Sequence, residues 1–258
     1  MAVYYDLDDY TVTYEYEGTI PTGAPELPET VSYRYTDTVT VEPKAVLAGY
    51  TFDGWRIKQG DVTIKTDEEG KQTFTMPARN VTLYGEFTAN QTTYSTKHYI
   101  EMLDTDTSTE NVITVNGTRY KLNRTNTYDG TVDTEVSRPN LNLTGVTVNI
   151  TDTKKYADTW NETEVSKVTC EDNGTTVTMK GKVKQDLEKN PLTVFSFFYT
   201  RNEYAVHYYV TGHIPSTLDE DTVPQSESYK YGETITIEPD AKARGYTFTG
   251  WNKPTTST

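Results

Sequence analysis

An internal repeat is the feature that most constrains how this chain can fold. Residues 3–21 (VYYDLDDYTVTYEYEGTIP) align with residues 197–215 (FFYTRNEYAVHYYVTGHIP) at an offset of 194 positions. Residues 32–55 align with residues 228–251 at an offset of 196, and both segments end in GYTF, one variable residue and GW. The two extra residues fall in a stretch rich in proline and acidic residues, which is typical of a loop. The chain therefore holds two copies of one module, separated by a different segment.

The repeat sets the domain boundaries that we predict. We divide the chain into the tail of an upstream module (1–9), a first repeat (10–88), a middle module (89–203) and a second repeat (204–258). The second repeat has no counterpart of residues 56–87 within this sequence. We therefore expect a piece of a longer array, with weaker order in residues 204–258 than in the first repeat.

Apolar and polar residues alternate along both repeats, and a period of two indicates strands with one buried face. The sequence contains 49 threonines and 21 tyrosines, which suit the exposed and buried faces of a sheet. The expected fold is mainly β, a tandem array of small antiparallel-sheet modules. We predict a core of Tyr10, Val12, Tyr14, Tyr50, Phe52, Trp55, Tyr204, Val206, Tyr246, Phe248 and Trp251.

Local signals refine this prediction. Because Trp55 has the wrong parity for the face of Phe52, we expect a bend at Gly54 that turns the indole inward. Residues 43–49 (PKAVLAG) are compatible with one helical turn. In the middle module, Asn-Gly pairs at 116–117 and 173–174 predict hairpins, and residues 154–167 are the only helix candidate.

These motifs resemble a known kind of surface module. The series YTVTYEYEG, SYRY, TVTVEP, GYTFDGW and FTMPARNVTLYGEF resembles the SHIRT repeat and the internalin-type B-repeat. The middle module, from YSTKHYIEML to LTVFSFFYTRNEY, resembles a divergent mucin-binding-protein (MucBP) module. The resemblance implies β-grasp-like units in the stalks of Gram-positive cell-surface adhesins, and it carries over no binding residue.

Residues that could carry chemistry are few. His98, His207 and His213 have no neighbouring nucleophile or second metal ligand, so we predict solvent-exposed histidines. Cys170 lies among acidic residues, which raise a thiol pKa, so we predict an inert strand cysteine. With no apolar run of membrane length and a net charge of −14, membrane insertion and nucleic-acid binding are not expected. We predict no enzyme activity, no cofactor and no metal site.

Two minor hypotheses remain open at this point. Asp104 and Asp106 have the spacing of a calcium loop, although the rest of that pattern fails, so solvated acidic loops are the simpler interpretation. A lysine–asparagine isopeptide bond occurs in surface stalks of the kind that the resemblance implies. It needs a buried lysine beside an asparagine and an acid, and the sequence offers too many candidate residues to single out one such group.

The function that we predict is a non-enzymatic stalk or spacer in an extracellular, cell-wall-anchored bacterial adhesin. Its partners would be the neighbouring modules of the same chain, each contacting only the next. The alternative is that the middle module binds a host glycoprotein or polysaccharide, with Trp160 stacking on a sugar. A Trp160 buried in the core competes with that hypothesis.

Overall fold

A computed structural model describes residue 1, residues 3–161 and residues 168–252, without the side chains of Trp160 and Asn161. The first repeat forms eight strands, and alternation of apolar and polar residues is clear in the long β1 and β8. They are β1 (Asp9–Glu17), β2 (Val31–Arg34), β3 (Thr38–Thr40), β4 (Tyr50–Phe52), β5 (Arg56–Gln59), β6 (Lys65–Thr66), β7 (Gln72–Thr75) and β8 (Val81–Ala89).

The first repeat is built around its last strand. β8 pairs in parallel with β1 and antiparallel with β4 and β5, while β2 extends the sheet beyond β1. A second sheet, in the order β3-β7-β6, covers the apolar face. The first repeat therefore needs strands from both its first and its second half to close into a module.

The described residues of the middle module form eight strands and one α-helix. They are β9 (Gln91–Glu101), β10 (Val112–Val115), β11 (Thr118–Thr131), β12 (Glu135–Pro139), β13 (Val146–Val148), α1 (Ile150–Asn161), β14 (Val168–Asp172), β15 (Val177–Lys182) and β16 (Val194–Arg201).

Its main sheet has the order β10-β11-β9-β16-β13, and its first and last strands again pair in parallel. A smaller sheet, β12-β15-β14, and helix α1 pack against it and enclose a core of aliphatic and aromatic side chains. Both Asn-Gly segments lie in hairpin turns, because glycine accepts the positive φ of 86° at Gly117 and 90° at Gly174.

The second repeat forms four short strands and one 3₁₀ turn among its described residues. They are β17 (Glu203–Val206), β18 (Leu218–Asp219), a 3₁₀ turn (Glu220–Thr222), β19 (Glu227–Lys230) and β20 (Lys242–Ala243). β17 pairs with β19 in the register that β1 and β2 have in the first repeat. β18 pairs with β20 in a separate ladder.

The mainly β fold is confirmed, with mixed sheets instead of purely antiparallel ones because the first and last strands of a module run in parallel. Two local predictions change. Helix α1 begins at Ile150, four residues before the predicted start, and residues 162–167 lie outside the described part of the chain. Residues 43–49 form no helix: residues 43–47 have no regular secondary structure, and the Tyr50 N–H donates to the Leu47 carbonyl across a turn that contains Gly49 with φ 80°.

Candidate functional site

Tyr14, Phe52 and Trp55 are aromatic residues packed together in the core of the first repeat. Gly54 bends the backbone with φ +112°, and Trp55 is only 4% exposed. Its indole Nε1 donates a hydrogen bond to the Pro43 carbonyl at 3.0 Å, and its ring lies 4.9 Å from that of Tyr14 in an edge-to-face arrangement. Val12 and Phe52 are buried beside them, whereas Tyr10 and Tyr50 are half-buried.

The second repeat places its corresponding residues differently. Tyr204 is 54% exposed and Tyr246 is 58% exposed, so the structure does not bury these two predicted core residues. Val206, Phe248 and Trp251 are half-buried. The physical reason is that the described residues contain no counterpart of β7 and β8, the strands that cover the equivalent face in the first repeat.

Of the predicted binding residue, Trp160, only the backbone position in α1 is known, because its side chain lies outside the described part of the structure. The start of that helix holds a buried polar cluster that sequence reasoning missed. The Asn149 Oδ1 accepts the Asp152 N–H at 2.9 Å and caps the helix. The Asp152 carboxylate in turn accepts hydrogen bonds from Tyr120 and Asn116. The spacing Asn-x-x-Asp was the available signal for this cap.

His98 is buried, so its predicted solvent exposure is wrong. It is 1% exposed, with Nδ1 2.9 Å from the Tyr199 hydroxyl and Nε2 3.0 Å from the Thr96 hydroxyl. Its ring stacks on Phe197 at 5.2 Å. Burial, followed by the positive charge of Arg124, lowers the pKa of His98 to about 4. The imidazole is therefore neutral near pH 7 and serves as a core residue.

Cys170 lies in β14, half-buried, and burial raises the pKa of its thiol to about 11. The neighbouring Lys154 opposes this shift, and the carboxylates of Asp172 and Asp158 add to it. At neutral pH the sulfur is protonated and a weak nucleophile, as the acidic neighbours predicted. His207 and His213 lie on the surface.

The described residues show no group of three or more histidine, cysteine or acidic side chains placed to hold a metal ion. The same part of the chain contains no helix long and apolar enough to cross a membrane. No lysine described in the structure is buried, so the arrangement that an isopeptide bond needs does not occur there. Two small pockets, one beside Tyr156 and Met179 and one beside Asp53 and Tyr84, have volumes of about 10 and 20 Å³, each room for about one water molecule.

The boundary between the first repeat and the middle module is a single residue, Asn90, because β8 ends at Ala89 and β9 begins at Gln91. The Asn90 N–H donates to the Gly49 carbonyl at 2.9 Å, and the Asn90 carbonyl accepts the Val132 N–H at 3.0 Å. One residue thus extends the hydrogen-bond ladders of both modules. We call this contact the first junction.

Side chains add to the first junction. The Asn90 side chain accepts the Thr51 hydroxyl at 2.7 Å and donates to Gln185 at 3.0 Å. The Tyr50 hydroxyl donates to Asp133 at 2.5 Å, and Lys184 forms an ion pair with the same carboxylate. Burial, together with the Asp133 carboxylate, raises the pKa of Tyr50 to about 12, so this phenol stays a donor at neutral pH.

The boundary between the middle module and the second repeat is again one residue, Asn202, between β16 and β17. The Asn202 N–H donates to the Gly145 carbonyl at 3.0 Å, and the Asn202 carbonyl accepts the Tyr231 N–H at 2.8 Å. The Thr147 hydroxyl donates to the Asn202 side chain at 2.7 Å. We call this contact the second junction.

Charged groups support the second junction from its flank. The Arg201 Nε donates to the Glu101 carbonyl at 2.8 Å, and its guanidinium also donates to the Tyr231 carbonyl at 2.6 Å. Lys230 pairs with the Glu101 carboxylate at 2.5 Å, which crosses from one module to the next. Both junctions are suited to holding modules together, because backbone and side-chain groups of each module form hydrogen bonds with the junction asparagine or with the next module.

Comparison with known families now places the two repeats. Residues 10–91 match the family model of the divergent InlB B-repeat domain, and residues 204–258 match that of the Listeria-Bacteroides repeat domain. Both repeats thus match repeat families of the bacterial surface-protein type. No curated protein and no solved structure matches it.

Repeat families of this kind are generally structural surface modules. The two matches leave residues 92–203 outside both families. The resemblances of the repeats to SHIRT and of the middle module to MucBP therefore stay predictions, as does anchoring to a cell wall.

Proposed function

We propose that this chain is a non-enzymatic spacer in a bacterial cell-wall-anchored adhesin, where it holds a distal head domain away from the wall. The observation that carries the proposal is the length of the connections between modules. At both junctions one strand follows another after a single residue, Asn90 or Asn202, whose N–H and C=O are both hydrogen-bonded.

This geometry favours a stiff array over a flexible one. A flexible linker needs several residues that are free of hydrogen bonds, and its end-to-end distance grows only with the square root of its length. A single residue bonded to both modules leaves little freedom for one module to rotate against the next. Stiffness is the property that a spacer needs in order to project a head domain over a fixed distance.

The surface charge agrees with this role. The chain carries 38 acidic against 24 basic residues, a formal net charge of −14 at pH 7. Like charge keeps neighbouring chains apart and discourages exposed sheet edges from pairing with one another. A spacer displayed densely on a cell surface has to avoid such lateral association.

Small-angle X-ray scattering of the chain tests the proposal. A stiff array is expected to give one maximum dimension that stays constant between low and physiological salt. Scattering typical of a flexible ensemble would contradict the spacer function. The control is a variant in which Asn90 is replaced by a ten-residue Gly/Ser segment, since this restores free rotation at one boundary.

A glycan and mucin array probed with the same chain separates this function from the alternative. The spacer proposal expects no binding to any ligand on the array. Binding that survives in a chain lacking both repeats would instead assign the middle module a direct role in recognising host glycoprotein or polysaccharide.

A further inference from the structure

The two junctions join different kinds of module, yet they share one set of central contacts. In each, an asparagine follows the last strand of one module and donates its N–H to the carbonyl of a glycine, Gly49 or Gly145. In each, the threonine two positions after that glycine, Thr51 or Thr147, donates its hydroxyl to the asparagine side chain at 2.7 Å. The shared elements are a Gly-x-Thr segment and an asparagine.

The glycine has a second reason to be there. A Cβ on Gly49 would lie 2.7 Å from a methyl carbon of Val132, and a Cβ on Gly145 would lie 2.3 Å from the Tyr231 ring. Both contacts are far shorter than normal packing allows. The side chain of the next module therefore occupies the space that a glycine leaves open, and glycine also accepts the positive φ of 80° and 75° found there.

The residue that fills this space is presented in the same way each time. Val132 and Tyr231 are second in a four-residue turn whose third residue has positive φ, 62° at Asp133 and 86° at Gly232. We call this position the turn residue of a module.

We propose that the Gly-x-Thr segment, the asparagine and the turn residue form a common docking surface through which unlike modules of this chain lock end to end. This inference rests on the proposed spacer function and adds the residues that make the spacer stiff. Without the lock, one covalent bond would connect the modules, and relative domain motion would be the default.

Two further elements of this docking surface, a turn residue and a Gly-x-Thr segment, occur in the described structure without a partner module. Tyr35 is a turn residue in the first repeat, with Thr36 at φ 77° after it, and its N–H donates to the Asp8 carbonyl at 3.0 Å. Residues 245–247 repeat the Gly-Tyr-Thr segment in the second repeat, with no atom within 4 Å of a Cβ on Gly245. In this arrangement Tyr35 packs on the glycine of a Gly-x-Thr segment in a preceding module. Residues 245–247 bind the asparagine and the turn residue of another module.

Distances between spin labels on either side of the first junction test the lock. Cys170 is replaced by serine, and labels are placed at T75C in β7 and T114C in β10, both on exposed strand positions. The test variant combines Thr51→Val with Asn90→Ala, which removes the hydroxyl donor and its acceptor. The matched control is Thr82→Val, which removes the hydrogen bond between the Thr13 and Thr82 hydroxyls, 3.1 Å apart inside the first repeat.

The unmodified junction is expected to give a narrow distance distribution. The test variant should broaden it by roughly twofold, as expected when relative domain motion returns, and Thr82→Val should leave it unchanged. Circular dichroism checks that the modules stay folded, and Thr51→Val alone serves if the double variant does not fold. A narrow distribution in the test variant would overturn the lock and leave the spacer function standing. A broad distribution in the unmodified junction would overturn both.

Discussion

Residues 204–251 of the second repeat follow the pattern of residues 10–55 of the first, and the structure closes only the first repeat into a sheet module. Both keep the local aromatic contact: ring centroids are 4.9 Å apart for Tyr14 and Trp55 and 4.9 Å apart for Tyr208 and Trp251. The chain around this contact differs. Residues 38–40 and 50–52 are strands in the first repeat, and their counterparts 234–236 and 246–248 are not.

The difference shows which parts of a module depend on short-range sequence and which depend on distant strands. The tyrosine–tryptophan contact needs only the first half of the repeat. β3 and β4 need hydrogen-bond partners in the second half, namely β7 and β8. The second repeat holds no such partners in its described residues, so the corresponding residues 234–236 and 246–248 form no strand.

The largest effect should come from supplying the missing half. Replacing residues 252–258 by a second copy of residues 56–88 places Arg56 after Trp251, the order found in the first repeat. The added strands should bury Tyr204 and Tyr246 and give the second repeat the stability of a small domain, roughly 5 kcal/mol or more. Hydrogen exchange of residues 204–206 and 246–248 measures the gain. Equal protection after appending a Gly/Ser segment of the same length would show that specific strand pairing is not the cause.

Replacing the two equivalent tryptophans by alanine should lower the stability of each repeat by a smaller amount, and the loss should be larger in the first repeat. Trp55→Ala should reduce the free energy of unfolding of the first repeat by roughly 3–5 kcal/mol, because it leaves a large cavity among packed rings. Trp251→Ala should cost about 1 kcal/mol or less in the second repeat, since the half-buried indole loses little contact area. Urea denaturation followed by circular dichroism gives the first value and hydrogen exchange the second. Similar costs would mean that the second repeat has a packed core after all.

The sequence was sufficient for features that depend on local rules. Alternation marked β1, and Asn-Gly at 116–117 marked a hairpin. The bend at Gly54 followed from parity alone. Each of these features is decided by a few neighbouring residues, so a pattern in the sequence carries the information.

Other features depend on contacts that no local pattern records. The parallel pairing of β9 with β16 puts His98 beside Tyr199, about one hundred residues away, and so buries a histidine that we predicted on the surface. The short junctions at residues 88–92 and 199–202 follow from the sequence, but the hydrogen bonds across them escaped prediction for the same reason. Asn90 and Asn202 look like ordinary loop asparagines until the sheets on both sides bring Gly49 and Gly145 to them.

Acid should destabilise the middle module but leave the stability of both repeats nearly unchanged. The pKa of His98 is about 4 in the folded protein and about 6.5 when unfolded, so the unfolded state binds a proton first as the pH falls. The stability that the neutral ring provides is present above pH 6.5 and is lost on acidification toward pH 4, on the order of 2 kcal/mol. The first repeat contains no histidine, and His207 and His213 of the second are exposed.

Hydrogen exchange of β9 and β16 between pH 7 and pH 5 measures this loss within the middle module. His98→Gln should make those strands less stable at pH 7 but nearly insensitive to pH over the same window. β1 and β8 in the same sample are the internal control, and no comparable change is expected there. A wild-type middle module equally stable at pH 7 and pH 5 would contradict the assignment of a neutral, buried His98.

The smallest expected effect concerns one hydrogen bond that the repeats share. The Tyr14 hydroxyl accepts the Glu42 N–H at 3.1 Å, and the Tyr208 hydroxyl accepts the Glu238 N–H at 3.1 Å. Tyr14→Phe removes the acceptor beneath a closed core, where water replaces it poorly, so the first repeat should lose about 1 kcal/mol. In the open second repeat water reaches the freed N–H, and Tyr208→Phe should cost less than about 0.5 kcal/mol. Exchange rates of the two glutamate amides, compared before and after each substitution, decide the matter: an equal acceleration at Glu42 and Glu238 would mean that covering strands do not govern the strength of this bond.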